Sequence, residues 1–163
     1  LNPEYGGAYW DGSRIDELPK DVLAWCQNLG EYAREAGYCG PLSVDIVQAK
    51  GVGFFACEVN GRHGGFSTVR AVSSSLGLEA DIKAGERVVL SRNAIPISTN
   101  FLGLVELLEQ KQLNYNSSVK RGAVVMAEGY GDSGPFDFLI VGSDLGEVHR
   151  IERALIGLAN GIY

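Results

Sequence analysis

Apolar residues recur along this chain at two different periods, and the changes of period mark its elements. Residues 42–48 and 54–59 are rich in β-branched and aromatic side chains, with Gly51-Val52 between them, which predicts a β-hairpin. Residues 19–36 carry Val22, Cys26, Leu29, Ala33 and Ala36 at helical spacing, opened by Pro19 and Asp21 and stopped by Gly37, and residues 66–76 read as a second, short helix. Downstream, 86–91 reads as a strand, 99–110 as a helix carrying Phe101, Leu102, Val105 and Leu108, and 114–118 as a polar connection. A strand at 122–128, a loop through 129–134, a strand at 135–141 and a helix from about 145 to 160 complete the pattern. Val124, Val125, Phe138, Leu139, Ile140 and Val141 would build those strands, with Val148, Ile151, Leu155 and Leu158 on the covering helix face. The expected class is α+β: an antiparallel sheet with flanking helices over residues 1–80, then a small αββα extension over residues 81–163.

The hairpin carries the candidate chemistry. A turn centred on Gly51-Val52 pairs Lys50 with Gly53 and therefore Asp45 with Glu58; a three-residue bulged loop would shift that register. Alternation then puts Leu42, Val44, Ile46, Phe55, Cys57 and Val59 on one face, the core, and Ser43, Asp45, Val47, Phe54, Ala56, Glu58 and Asn60 on the other. Two carboxylates facing each other at about 5 Å repel unless a cation or proton lies between them. Asp, Glu and the Asn carbonyl are hard oxygen donors of the kind Mg²⁺ takes, so Asp45, Glu58 and Asn60 are the candidate metal ligands. Arg62 falls on the same face if the strand continues, where its guanidinium would meet a phosphoryl oxygen. His63, Gly64, Gly65 and Ser67 adjoin it as candidate substrate contacts, at the start of a helix whose first N–H groups suit an anion; capping explains Ser67 and Thr68 equally well.

Asp45, followed thirteen residues on by Glu58-x-Asn60-x-Arg62 within a strand-turn-strand, resembles the C-terminal half of the ATP-grasp superfamily of carboxylate–amine ligases. Gly6-Gly7-Ala8-Tyr9 ahead of a helix, and Gly37-Tyr38-Cys39-Gly40 ahead of the first strand, are similar to the lead-in of these proteins, and the likeness covers about residues 1–78. The resemblance implies ATP and Mg²⁺ as cofactors, held by Asp45, Glu58 and Asn60, with Arg62 as the catalytic residue that stabilises the transferring phosphoryl group. It also implies a carboxylate–amine ligation, of an amino acid or a peptide, through an acyl-phosphate. Residues 81–163 resemble, in the order and length of their elements, the extension that follows the ATP-grasp fold in pheganomycin-type peptide ligases; a stabilising cap or a homo-oligomer contact is the other open reading of that extension. Such sites close between two subdomains, and the other one supplies the glycine-rich lid, the phosphate-binding lysines and the adenine linker. The chain begins at Leu1 without them, so the expectation is a fragment whose partner is the N-terminal remainder of the same protein.

Composition adjusts the picture without deciding it. With 163 residues, 45% apolar, and a net charge of −6, the chain can bury a core, and its acidity argues against sequence-independent nucleic-acid binding. No apolar run approaches the ~20 residues of a membrane span, and no signal peptide is read, so the expected place is the cytoplasm. Cys26, Cys39 and Cys57 lack C-x-x-C spacing and read as free, buried thiols in a reducing compartment. His149 reads as a helix-surface residue, and Trp25 and Tyr32 as packing rather than an adenine shelf. Gly129 to Gly134 lacks the Lys-Ser/Thr ending of a P-loop and reads as a hairpin loop. Two function classes follow: a ligase, or a non-catalytic nucleotide-binding or assembly module that keeps the hairpin. A third, plainer reading makes Asp45, Glu58 and Asn60 a solvated polar face.

Overall fold

The computed structural model describes residues 7–12, 18–128 and 134–160. The chain is α+β and divides into two compact units, residues 14–71 and residues 1–13 with 72–163. This differs from the division expected near residue 80. The N-terminal segment expected to lead into the hairpin unit contributes a strand to the other unit's sheet, and the boundary falls inside a helix.

In the larger unit, β1 (Gly7–Asp11), β4 (Val88–Ile95), β5 (Gly122–Glu128) and β6 (Phe136–Gly142) form one antiparallel sheet in the order β1-β4-β6-β5. The strands of the expected extension pair with one another, β4 with β6 (Leu90 opposite Ile140) and β5 with β6 on its far side (Val124 opposite Leu139), and β1 from the N-terminal segment joins them along β4 (Tyr9 opposite Leu90). Val88 and Leu90 of β4 and Phe136, Phe138 and Ile140 of β6 share a core with Leu104 and Leu108 of α4 (Phe101–Gln110) and Val148, Ile151 and Leu155 of α5 (Leu145–Ala159). Val89, Leu139 and Val141, on the opposite face, are also fully buried, so the central strands are covered on both sides. That explains why β6 reads F-D-F-L-I-V-G, a continuous apolar run broken once, rather than an alternation.

The break, Asp137, has a task. Its Oδ1 accepts the Ala94 N–H at 2.8 Å, where β4 shifts register between Arg92 and Ile95 and Ala94 takes φ +56°. A left-handed non-glycine residue costs about 1 kcal/mol, and this bond offsets it. The strand therefore runs on to Ile95, four residues past the end that periodicity suggested. The short helix α3 (Glu79–Lys83) also escaped the pattern; Lys120 Nζ meets its Asp81 at 2.5 Å, and Arg87 donates to the Lys120 and Val119 carbonyls, tying the β5 approach down.

Both long helices of this unit are capped by side chains: Asn100 accepts the Gly103 N–H at 2.9 Å, and Asp144 the Glu147 N–H at 2.8 Å. Glu147, 8% exposed, reaches back to the Ser143 N–H at 2.8 Å and hydroxyl at 3.0 Å, while its other oxygen meets Arg121 at 3.3 Å. His149 lies on the exposed side of α5, its Nδ1 3.0 Å from Glu152. The loop expected at 129–134 lies outside the described residues except for Gly134. Among the described residues no helix is long and apolar enough to cross a membrane.

The Ser143 N–H, the Ser143 hydroxyl and the Arg121 and Arg150 guanidinium groups hold the Glu147 carboxyl below its ordinary value of 4.5, against the opposing effect of burial. A lowered folded-state value means that the ionised carboxylate stabilises the fold above the unfolded value and loses this effect as pH falls through the folded one. Glu147→Ala is therefore expected to cost about 1–3 kcal/mol near neutral pH and much less near pH 3. Urea melts at the two pH values check this, and an equal loss at both would refute the role of the charge.

Candidate functional site

The unit over residues 14–71 holds α1 (Lys20–Glu35), β2 (Ser43–Ala49), β3 (Gly53–Asn60) and the start of α2 (Gly65–Ser75). The hairpin forms where periodicity put it, but its turn is longer. Ala49 pairs Gly53 around a three-residue loop, Lys50-Gly51-Val52, closed by the Val52 N–H on the Ala49 carbonyl at 3.1 Å with Gly51 at φ +75°. That loop shifts the register by one residue and sets Ile46 opposite Ala56, Val47 opposite Phe55 and Gln48 opposite Phe54. A bulge then takes up Cys57, and beyond it Asp45 faces Glu58, Val44 faces Val59 and Ser43 faces Asn60. The carboxylate pair expected from a two-residue turn is present, restored by a bulge that cancels the shift.

Two expected faces are corrected by this. Phe54 and Ala56 join Val44 and Ile46, while Phe55 joins Val47 on the side of Asp45 and Glu58. Cys57, expected in the core, is exposed in the bulge; Cys39 is exposed and Cys26 half-buried, and all three thiols are free. The face toward α1 is loosely filled, because α1 buries none of its residues completely. A cleft of about 520 Å³ remains between Val22 and Trp25 of the helix and Ile46, Phe54 and Ala56 of the hairpin, with Asp21 and Phe55 also in its lining. Trp25, read from the sequence as packing, is 44% exposed there. Its position one turn after Asp21 and Val22 was the available signal.

On the other face Ser43, Asp45, Glu58 and Asn60 stand together, Asp45 and Glu58 both exposed. Neither carboxylate has an ion-pair partner among the described residues. The donor set is oxygen alone, which suits a hard divalent cation. It contains only two acids, and no group of three or more His, Cys, Asp or Glu occurs among the described residues; Asn60 and oxygens from a ligand or water would have to complete any coordination shell.

Arg62 is placed differently from expectation. The strand ends at Asn60 and the chain bends through Gly61 and Arg62, so alternation no longer aims the side chain. The bend is held by Tyr38, whose hydroxyl donates to the Pro41 carbonyl at 2.7 Å and whose ring would lie 3.3 Å from a Cβ on Gly61. Arg62 is exposed and its Nη1 donates to the His63 carbonyl at 3.3 Å. His63 is exposed too. Gly64 packs on Ser43, where an added Cβ would come to 3.2 Å from Oγ, and this contact brings Gly65 and the first turn of α2 beside the acidic face. Ser67 is half-buried, its N–H spent on the Gly64 carbonyl at 3.0 Å. The structure thus gathers Asp45, Glu58, Asn60, Ser43 and Gly64, and leaves Arg62 and His63 in the adjoining bend.

No protein-family model matches the chain, and no curated protein matches it.

The opposed carboxylates make a simple prediction. In chelator, Glu58→Gln is expected to stabilise the hairpin by about 0.2–1 kcal/mol, seen as slower amide exchange across residues 43–60. Added Mg²⁺ or Mn²⁺ is expected to slow that exchange in the wild type and not in the variant; an identical response of the two proteins would remove the cation from the account.

Proposed function

We propose that this chain is the acidic half of an ATP- and Mg²⁺-dependent ligase of the ATP-grasp type, joining a carboxylate to an amine through an acyl-phosphate. One observation supports it above the others: Asp45 and Glu58 are directly opposed, with Asn60 on the same face and the start of α2 alongside. A solvated sheet face gains nothing from two unpaired carboxylates in register, whereas a cation site requires them. Asp45, Glu58 and Asn60 would hold Mg²⁺, which would supply positive charge against the phosphoryl group in transfer.

The chain's own groups divide the remaining work. Arg62, exposed beside the acidic face, stabilises the phosphoryl oxygens by charge-assisted hydrogen bonds once its guanidinium leaves the His63 carbonyl. The first-turn N–H groups of α2 that have no intrahelical partner favour an anion near Gly65. His63, Gly64, Gly65 and Ser67 line the approach for the amino acid or peptide. No nucleophilic side chain is involved, since the substrate carboxylate attacks the γ-phosphoryl group and ADP leaves; the amine then displaces phosphate from the acyl-phosphate. The cations that grip the α- and β-phosphates, and the lid that excludes water, come from a second subdomain. This reading puts the protein in the cytoplasm, where ATP and Mg²⁺ are abundant and thiols stay reduced.

The test is ADP release by the gene product that contains this chain, with Mg²⁺-ATP and a panel of amino acids and short peptides. Release is expected to need both a carboxylate and an amine, to fall by at least about 100-fold in Glu58→Gln, and to fall by roughly 10²–10³ in Arg62→Ala. Unaltered release in Glu58→Gln would refute the assignment, and absence of any Mg²⁺-dependent nucleotide binding would favour a non-catalytic assembly module.

A further inference from the structure

We infer that a second site, in the unit formed by residues 72–163, captures the C-terminal end of a peptide whose last side chain is aliphatic. The site is a cleft of about 480 Å³ between the α4–β5 connection and α5. Its apolar part is Leu113, Val119 and Ile151, and its polar part is Gln112, Asn114, Asn116 and Arg121.

The chemistry of these groups is specific. The Gln112 and Asn114 carboxamides have no hydrogen-bond partner among the described residues, and each offers one acceptor and two donors, the complement of a peptide unit. Asn116 uses its Oδ1 on the Ser118 and Val119 N–H groups at 2.9 and 3.4 Å, which leaves its NH₂ as a donor. Arg121 gives Nη1 to Glu147 at 3.3 Å and is otherwise open, its side chain 53% exposed. A guanidinium fixed by one N–H with the others free is suited to a carboxylate. A peptide terminus carries all three matching features: a carboxylate, an amide N–H on the same Cα, and a side chain for the apolar part.

The cleft is also rigidly built. The connection folds back on β5 through Ala123 N–H to Leu113 O at 2.7 Å, Tyr115 N–H to Ala123 O at 2.9 Å and Asn116 N–H to Arg121 O at 2.8 Å. Helices α1, α2 and α3 are each followed by a glycine with positive φ, namely Gly37, Gly77 and Gly85. After α4 that position is Gln112, at φ +54°. Glycine would relieve the backbone there, and glutamine instead sets a carboxamide on the rim. The inference does not depend on the nucleotide reading, because the cleft lies wholly in the other unit and its test uses no nucleotide.

The test titrates N-acetyl-Leu-Leu, and separately its C-terminal carboxamide, into isotope-labelled protein followed by NMR. Saturable shifts are expected for the Gln112 and Asn114 side-chain amides and the backbone of residues 119–122, with the free acid bound roughly tenfold more tightly than the carboxamide. Arg121→Gln is expected to abolish that preference. Gln112→Gly is expected to raise the melting temperature while weakening binding, a combination that a merely structural residue does not produce, and it serves even if Arg121→Gln disturbs the Glu147 contact. Saturation without acid preference, shifts confined to other surfaces, or no saturable shift at low-millimolar peptide would each overturn the site.

Discussion

Side chains along a strand change face at every residue, so one extra residue on one strand resets which groups meet across a pair. Among the described residues, three of the four strand pairings contain such a reset, between Asp45 and Ile46, Arg92 and Ile95, and Val125 and Ala127. In the hairpin the reset cancels the offset introduced by the three-residue turn. Without it Asp45 would face Cys57, and Glu58, opposite Val44, would lie on the other face of the hairpin. The position of Cys57, exposed rather than in the core, follows from the same event. What a cation would find in this protein therefore depends on a single unpaired residue in β3.

The two units solve burial differently. The four-stranded sheet has its central strands covered on both faces and its irregular points held by named polar contacts: Asp137 on the Ala94 N–H, Asp81 on Lys120, Glu147 on Ser143 and Arg121. Each contact fixes backbone that departs from regular geometry, so the apolar core and the polar anchors act on the same segments. The hairpin unit is less completely buried among its described residues. Val44 and Ile46 are half-buried, Val47, Phe55 and Val59 are about half-exposed, and a cleft remains under α1. A two-stranded sheet of this kind is marginal in isolation. The acidic face and the beginning of α2 are positioned chiefly by local contacts, Tyr38 against Gly61 and Ser43 against Gly64.

The proposed nucleotide site and the proposed peptide site differ in how local their residues are. Asp45, Glu58 and Asn60 stand out in the sequence because residue type, spacing and strand alternation all bear on one another within sixteen residues. Gln112, Asn114, Asn116 and Arg121 have no such signature, since polar residues after a helix read as an ordinary connection. They become a candidate site only when the connection folds back on β5 and Ile151 of α5 closes one side. Arg62 is the intermediate case. Its identity was legible, its placement was not, because a bend at Gly61 depends on a tyrosine more than twenty residues earlier.

Local pattern by itself determined the α+β class, the hairpin, helices α1, α2, α4 and α5, and strands β5 and β6 to within a residue or two, because helix and strand periodicity and glycine stops are properties of neighbouring residues. It also placed two acids and an amide on one face of the hairpin, but the three-residue turn keeps that arrangement only because the bulge at Cys57 restores the register. Tertiary structure decided that β1 joins β4, that β4 continues to Ile95, that the unit boundary falls within α2, and that Phe55 and Cys57 leave the core side. Those outcomes rest on hydrogen bonds and packing between residues far apart in the chain, or on a turn length that differs by one residue. Neither leaves a mark in the periodicity of a single segment.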